Sequence, residues 1–408
     1  MMRMKDDNRN ILILTSIYPA PDLEAENTAV VHYFVREWVR LGYNVRVVHF
    51  PANFPKLIMS GASFFKKILS SKFGATIRTK QASPIEYMID GVKVLRVPLM
   101  KFWPHGRYSS TEISKAYQKT VKWLTRESFF PDFITSHWVN PQLEIMVRLK
   151  DKYQSKTCYI AHTPTCELTN IYSLNDINKL FSAIDLVGFR SAYIKNSFLS
   201  SFQYSGPTFQ CYSGIPEKYI PSQRIKKTFK EVHDFIFVGT LIKRKYPAEI
   251  IPALVKAFDK GSFNIYYIGQ GAEEKKIYTY AKKNGVLERV HLLGRLSRDN
   301  VVSYLQKCDV FVMISRSEAY GLVYLEAMSQ GCITIASKNE GFDGIIVDGK
   351  NGFLCESGNV DDLARTIKRI ITMSAEELRE ISNNAFLTAK KLTDSSAAQY
   401  YLYHLSNT

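Results

Sequence analysis

The chain is predicted to be an α/β protein with two doubly wound, Rossmann-like domains, and two observations carry this prediction. Short apolar runs such as 11–14 and 235–238 recur along the sequence and alternate with segments whose apolar residues have helical spacing, as in parallel-sheet proteins. A length of 408 residues corresponds to two or three domains at roughly 100–200 residues each. The predicted domains are 1–215 and 216–390, followed by a C-terminal segment, 391–408.

In the first predicted domain, a βαβ unit is followed by two strands that end in histidines. The strand, helix and strand of the unit are expected at 11–15, 29–41 and 45–50. Strand 132–136 precedes His137, and strand 157–161 precedes His162. Because the carboxyl ends of parallel strands share the edge where open α/β sheets bind ligands, both histidines are site candidates. Taken singly, each is equally well explained as a structural hydrogen-bonding residue.

The second predicted domain begins with strand 235–239 and a cationic loop that ends at Pro247. Further strands are expected at 264–269, 309–314 and 332–337, and a final helix at 385–405. The loop before Pro247 carries Lys243, Arg244 and Lys245 between a strand and a helix. A cationic loop at this point in the fold is suited to an anion.

The stretch 315–331 combines an anion site with two carboxylates. A polar turn ends at Gly321 and leads into a helix, whose first N–H groups lack helical partners and favour an anion. Glu318 precedes the helix and Glu326 lies inside it, and carboxylates accept hydrogen bonds from hydroxyl groups well. A nucleotide sugar, with a diphosphate and two hydroxyl-rich ends, fits both features. The glutamate spacing by itself is more simply explained by a capped helix with solvated side chains.

A formal net charge of +16 indicates a polyanionic partner: nucleic acid, an anionic membrane or a phosphorylated substrate. Nucleic acid is disfavoured because the sequence has no zinc-finger spacing, no RNP aromatic motif and no basic heptad region. It also has no run of about 18 apolar residues and no signal-peptide pattern, so we expect a cytoplasmic protein without a transmembrane helix. The six cysteines are scattered, which predicts neither a disulfide framework nor a zinc site.

Residues 54–80 carry apolar and basic side chains but no acidic ones. This composition is typical of a segment that lies on anionic lipid, where each basic residue contributes about 1 kcal/mol. We therefore predict peripheral association with the inner face of the plasma membrane. The alternative is a helix that packs on its own domain with a solvated basic face. A second basic and aromatic patch, 101–108, extends this surface or shapes a substrate pocket.

The whole stretch 315–331 closely resembles the E-x7-E signature of the retaining nucleotide-sugar glycosyltransferases of family 4, which have the GT-B fold. The matching positions are Ser315, Glu318, Gly321, Leu322, Glu326, Ala327, Met328 and Gly331. The resemblance implies two Rossmann-like domains that face a central crevice, with the acceptor on the first domain and the nucleotide sugar on the second. It also implies that the C-terminal helix, near 395–408, returns to the first domain.

The resemblance implies roles for further residues, position by position. The catalytic candidates are His137, Lys245 and Glu318. The donor-binding set is Thr240, Arg244, Lys245, Gly269, Arg295, Glu318, Tyr320, Gly321, Leu322, Val323 and Glu326. The acceptor-side set is Asn27, Thr28, His32 and His162. For His32, a histidine on the surface of the first helix is an equal alternative.

Several positions depart from the family pattern. Thr240 stands where the family has the arginine that grips the diphosphate, so Lys243 or Arg244 is expected to supply that charge. Asn27–Thr28 replaces a Gly-Gly pair, and Gly344 stands where many members have a glutamate.

The resemblance implies retaining transfer of a hexose from a UDP- or GDP-sugar to a hydroxyl group of a glycan acceptor. The acceptor is expected to be linked to a lipid diphosphate, as in bacterial cell-surface polysaccharide biosynthesis. No Asp-x-Asp motif occurs, so neither a metal nor another cofactor is expected. Three alternatives stay open: a nucleotide-sugar epimerase with this fold, a non-catalytic sugar- or lipid-binding protein, and a nucleic-acid binder suggested by the charge.

Overall fold

The computed structural model describes residues 9–23, 29–55, 81–102, 106–163, 165–258 and 262–408. The chain divides into two compact units. Unit 1 contains Met1–Arg190, Ile194–Tyr212 and Ala397–Thr408, and unit 2 contains Ser191–Tyr193 and Ser213–Ser396. The main changes of unit thus come at 212/213 and 396/397, beside predicted boundaries at 215/216 and 390/391. The candidates Asn27 and Thr28, and residues 56–80 of the predicted membrane segment, lie outside the described residues.

Unit 1 is built on one large, mostly parallel sheet. The strands of unit 1 are β1 (Asn10–Thr15), β2 (Asn44–His49), β3 (Ala52–Asn53), β4 (Ile85–Ile89), β5 (Val92–Arg96), β6 (Leu99–Met100), β7 (Phe133–His137), β8 (Lys156–Ala161), β9 (Leu186–Phe189) and β10 (Thr208–Gln210). Eight of them form the sheet in the order β10-β9-β8-β7-β1-β2-β5-β4, and β3 pairs with β6 separately. All neighbours in the large sheet are parallel except β4 and β5.

Both faces of this sheet are buried, which explains why its strands read as continuous apolar runs. Ile11 and Ile13 of β1 face one core cluster, whereas Leu12 and Leu14 face the other. The helices along unit 1 are α1 (Val30–Arg40), α2 (Ser110–Arg126), α3 (Gln142–Tyr153), α4 (Cys166–Ile171), α5 (Leu174–Ser182) and α6 (Ala192–Ser201). The helix predicted at 29–41 corresponds to α1, and its Val31, Phe34, Val35 and Trp38 are buried.

Unit 2 contains a second, wholly parallel sheet. Its strands are β11 (Asp234–Val238), β12 (Asn264–Ile268), β13 (Val290–Leu292), β14 (Val310–Val312), β15 (Ile333–Ser337) and β16 (Phe353–Cys355). Its helices are α7 (Ile250–Phe258), α8 (Glu274–Lys283), α9 (Arg298–Lys307), α10 (Leu322–Ser329), α11 (Val360–Ile371) and α12 (Ala375–Lys391). The strand order is β13-β12-β11-β14-β15-β16. The direction of winding therefore reverses between β11 and β14, and the loops after these two strands flank a topological switch point.

The prediction of one final helix over 385–405 is wrong. A second helix, α13 (Asp394–Ser406), follows α12 after a break at Leu392, whose φ of −110° and ψ of 64° are not helical. The Asp394 N–H donates to the Ile215 carbonyl at 3.0 Å, so another segment of unit 2 holds the chain at the break. The Thr393 hydroxyl accepts from the Ser396 N–H at 3.0 Å and starts the new helix.

From Ala397 onward α13 belongs to unit 1. There the Trp38 indole N–H donates to the Ala398 carbonyl at 3.0 Å, and the Tyr401 ring lies edge-on to Phe34 and Trp38. No helix in the described part of the chain is both long and apolar enough to cross a membrane.

Candidate functional site

In unit 2 the loops after β11, β12 and β13 lie against one another at the carboxyl edge of the sheet. The Gly239 N–H donates to the Ile268 carbonyl at 2.9 Å, and the Gly269 N–H donates to the Gly294 carbonyl at 2.7 Å. A Cβ on Gly269 would lie 1.9 Å from the Gly239 oxygen, so this approach requires a residue without a side chain. The predicted site residue Gly269 thus has a structural reason to be glycine.

The loop after β11 contacts the loop after β14 across the switch point. The Arg316 N–H donates to the Arg244 carbonyl at 2.7 Å, and the Arg244 guanidinium lies 3.4 Å from both the Ser317 carbonyl and the Glu318 carboxylate. The Lys245 ammonium lies 3.8 Å from the same carboxylate oxygen. Three predicted donor-site residues are therefore brought together, and Arg244 is the neighbouring cation that reaches Glu318.

Lys245 and Glu318 form a poorly solvated pair of charges. Each side chain is only 14% exposed, whereas Arg244 is 45% exposed. Burial lowers the pKa of Lys245, and the negative charge of Glu318 opposes that shift. The positive charge of Arg244 adds to the effect of burial, so the contact with Glu318 does not fully compensate the ammonium. A further anion, such as a diphosphate, would therefore stabilise this ammonium.

Glu340, which the sequence analysis did not identify, holds the loop that carries Glu318. Its carboxylate accepts from the Glu318 N–H at 2.8 Å. Burial raises the pKa of Glu340, while its bonds from the Ser317 and Glu318 N–H groups lower it. Glu340 could have been identified from its position in the sequence, because it follows β15 by three residues. It therefore lies at the edge where β11 and β14 also end.

The predicted helix after this loop is α10, and its second glutamate has a defined partner. Gly321, with φ of +88°, precedes the helix, so Leu322 and Val323 supply its first N–H groups. Glu326 is 14% exposed on its side chain, and the Arg298 guanidinium donates to its carboxylate at 2.5 Å. Burial raises the pKa of Glu326, and Arg298 opposes the shift.

The remaining predicted donor residues differ in exposure. Thr240, in the loop after β11, and Arg295, in the loop after β13, are exposed. Tyr320 is buried instead: its hydroxyl donates to the Ser213 carbonyl at 2.7 Å, and its ring packs against Phe342. These contacts show that Tyr320 fixes the loop before α10 through the interior of unit 2.

In unit 1 the two predicted histidines are brought into contact at the ends of β7 and β8. His137 Nδ1 lies 2.9 Å from His162 Nε2, and the His162 ring stacks on Trp138 with centroids 4.2 Å apart. Burial lowers the pKa of His137 to about 3, helped by the positive charge of Arg190. His137 is therefore neutral at physiological pH. Its Nε2 atom is buried and has no hydrogen-bond partner among the described residues.

His32, predicted on the acceptor side, has both ring nitrogens engaged within unit 1. Its Nδ1 lies 2.9 Å from the Tyr18 hydroxyl, and its Nε2 lies 2.9 Å from the Asp90 carboxylate. The residue is 6% exposed, so the alternative of a histidine on the surface of the first helix is wrong. His32 is buried and links α1 to the loop after β1 and to the β4–β5 turn.

The comparisons with known proteins agree with one another on the family. The family model described as "Glycosyl transferases group 1" matches residues 220–388. An uncharacterized glycosyltransferase of Methanocaldococcus jannaschii is 30% identical over 61% of this chain and 67% of its own length. A lipopolysaccharide core biosynthesis glycosyltransferase of Rhizobium meliloti is 31% identical over 33% of this chain, which spans only 38% of that relative.

The solved structure of the HepE protein of Anabaena, in complex with UDP, is similar over nearly the whole chain. It aligns with a TM-score of 0.70 and 16% identity, covering 98% of this chain and 100% of its own. A likeness at this level of identity concerns the fold, and it confirms the prediction of two Rossmann-like domains of the GT-B type. The chain is therefore a member of the glycosyltransferases, with the GT-B fold.

Proposed function

We propose that this protein is a metal-independent, retaining glycosyltransferase of family 4 that transfers a hexose from a UDP- or GDP-sugar to a hydroxyl group of a glycan. In this proposal unit 2 binds the donor and unit 1 binds the acceptor. The observation that carries the proposal is the contact of Lys245 and Arg244 with Glu318 at the switch point of unit 2. The UDP bound to the Anabaena protein supports a uridine nucleotide as the first candidate.

Lys245 and the start of α10 suit a departing nucleoside diphosphate. Transfer breaks the bond between the anomeric carbon and a diphosphate oxygen, so negative charge develops on the leaving group. Preorganised donors stabilise such charge most when they are fixed and poorly solvated. Lys245 is held in that way, and the N–H groups of Leu322 and Val323 point out of the first turn of a helix. These donors take the place of a metal ion in the proposal.

The carboxylates suit the two hydroxyl-rich ends of the donor. Glu318, beside the cations, would accept hydrogen bonds from the sugar, and Glu326, inside α10, would accept them from the ribose. The acceptor oxygen then bonds to the anomeric carbon on the face that the diphosphate leaves. Its proton departs with the diphosphate, so this step needs no strongly basic side chain. A neutral His137 is compatible with that requirement.

The proposed acceptor is a glycan linked to a lipid diphosphate at the cytoplasmic face of the membrane. The net charge of +16 and the acid-free composition of 54–80 favour an anionic surface. The lipopolysaccharide function in the name of the Rhizobium relative also supports a cell-surface glycan. The acceptor would then be part of a polysaccharide assembly route.

A two-stage experiment tests this proposal. Thermal shift with UDP-, GDP- and ADP-sugars identifies the donor, and transfer of radiolabelled sugar to membrane lipid extract, with and without EDTA, tests the reaction. The anomeric proton of the product, observed by NMR, reports whether configuration is retained. An inverted product would refute retention, and loss of activity in EDTA would refute metal independence.

The same reagents also distinguish the alternative functions. An epimerised nucleotide sugar formed without acceptor would identify an epimerase. Binding of donor and lipid without any transfer would identify a non-catalytic protein.

A further inference from the structure

The carboxylate of Glu326 depends on one cation. In the described part of the chain, Arg298 is the only residue that donates a side-chain hydrogen bond to it, at 2.5 Å to one of its two oxygens. Arg298 is also the charged group that opposes the rise of the pKa of Glu326 caused by burial. Arg298 therefore fixes one oxygen and favours the ionised form, while the other oxygen receives no bond from a described residue.

The Arg298 side chain is also positioned by residues other than Glu326. It is the first residue of α9, directly after Ser297, whose hydroxyl accepts from the Asn300 N–H at 3.3 Å and caps that helix. Its guanidinium lies over the Tyr219 ring, 4.4 Å from the centroid. The Tyr219 carbonyl in turn accepts from the Gln330 amide, just beyond α10, at 2.6 Å. The orientation of the guanidinium is thus set by α9, by α10 and by the segment that enters unit 2.

A purely structural role for the Arg298–Glu326 ion pair does not account well for this arrangement. The Nε–H of Arg298 is buried without a partner among the described residues, and such a group destabilises a fold. A half-buried arginine with one orphaned donor is better explained if its position serves the carboxylate beside it.

We propose that Arg298 is a positioning residue for Glu326: it holds one carboxylate oxygen so that the other can accept hydrogen bonds from the ribose hydroxyls of the donor. This inference rests on the proposed function, because it requires a nucleotide in unit 2. Arg298 makes no contact with the reacting atoms. Its effect is on nucleotide affinity through the ribose.

The test compares ribonucleotides with analogues that lack the two hydroxyl groups. UDP, GDP and ADP, each with its 2′,3′-dideoxy counterpart, are titrated by calorimetry into the wild type, Arg298→Met, Arg298→Lys and Glu326→Gln. Arg289→Met is the matched control, since this arginine also lies over an aromatic ring of unit 2, Phe263, at 5.7 Å. Thermal unfolding of each variant shows whether it is folded.

We expect the wild type to prefer the ribonucleotide, and Arg298→Met to weaken its binding roughly 10- to 100-fold while leaving the dideoxy form unchanged. Arg298→Lys keeps the charge and should recover part of the preference. In Arg298→Met the affinity for the ribonucleotide should also begin to fall at a higher pH than in the wild type, because the carboxyl loses the cation that favours its ionised form. Arg289→Met should bind both forms as the wild type does.

Two results would overturn this inference and leave the proposed function intact. An unchanged preference for ribose in Arg298→Met would show that Glu326 does not need the arginine. Tighter binding in that variant would show that Arg298 blocks the carboxylate. If the wild type binds no nucleoside diphosphate at all, the proposed function itself fails, and this inference fails with it.

Discussion

Replacement of Lys245 by methionine should separate activity from stability. At 3.8 Å and an effective dielectric constant of about 20, the attraction between Lys245 and Glu318 is about 4 kcal/mol before desolvation. The pKa of Lys245 is nevertheless lowered: burial is the largest cause, the positive charge of Arg244 adds to it, and Glu318 opposes it. Methionine has similar length and no charge, and Glu318 keeps Arg244 at 3.4 Å as a cationic partner, so we expect only a small loss of stability at pH 7. Loss of a preorganised cation at the leaving group should reduce turnover about 10²- to 10³-fold.

Steady-state transfer measures turnover, and the effect of the lost cation on diphosphate binding can be measured without an acceptor. Calorimetry with UDP and UMP measures how much the second phosphate adds to binding, and thermal unfolding measures stability in parallel. Lys275→Met is the matched control, because Lys275 is an exposed lysine on α8 of the same unit. The reasoning would be refuted if Lys245→Met kept the full preference for UDP over UMP, or if it unfolded far below the control.

Three further predictions concern other parts of the molecule. Glu340→Ala should lower turnover about tenfold or more, because the Glu318 N–H loses a charged acceptor, whereas Glu340→Gln keeps an acceptor oxygen and should retain most activity; steady-state kinetics decide between them. Burial lowers the pKa of His32 from 6.5, so its contribution to stability is present above that pH and is lost as the pH falls below it. The free energy of unfolding of His32→Gln should therefore fall less between pH 7 and pH 5 than that of the wild type, with chemical denaturation as the measurement and parallel curves as the contrary result. Sedimentation with anionic vesicles should decrease when three basic residues of 54–80 are replaced by glutamine: Lys66, Lys67 and Lys72. An unaltered sedimentation would contradict the membrane prediction.

The local patterns in the sequence were sufficient to predict most of the fold. Strands such as β1 and β11 are continuous apolar runs because both faces of each sheet are covered, and this makes them visible without any partner. The strand before Gly321 could be predicted for the same reason, and the glycine itself indicated the loop that leads into α10. The break at Leu392 could not, because Ile215, 177 positions earlier in the chain, holds it open.

Contacts between distant segments were the part of the site that the sequence did not reveal. Glu340 and Arg298 are ordinary polar residues in their own segments, and only the fold brings them to Glu318 and Glu326. Which loop cation contacts Glu318 together with Lys245 likewise depends on the side chain that the turn after β11 directs toward the next loop, and this is Arg244. Composition and spacing can identify a cationic loop, but they do not determine which cation makes the contact.

The return of α13 to unit 1 has a consequence for biosynthesis. Unit 1 is not continuous in sequence, because its N-terminal part is synthesised long before Ala397–Thr408. Until α13 emerges from the ribosome, the Trp38 indole lacks the Ala398 carbonyl, and the apolar face of α1 lacks Tyr401. Unit 2, whose main segment is Ser213–Ser396, is complete before that point. During translation, the unit that starts first therefore cannot finish packing until the unit that follows it has been made.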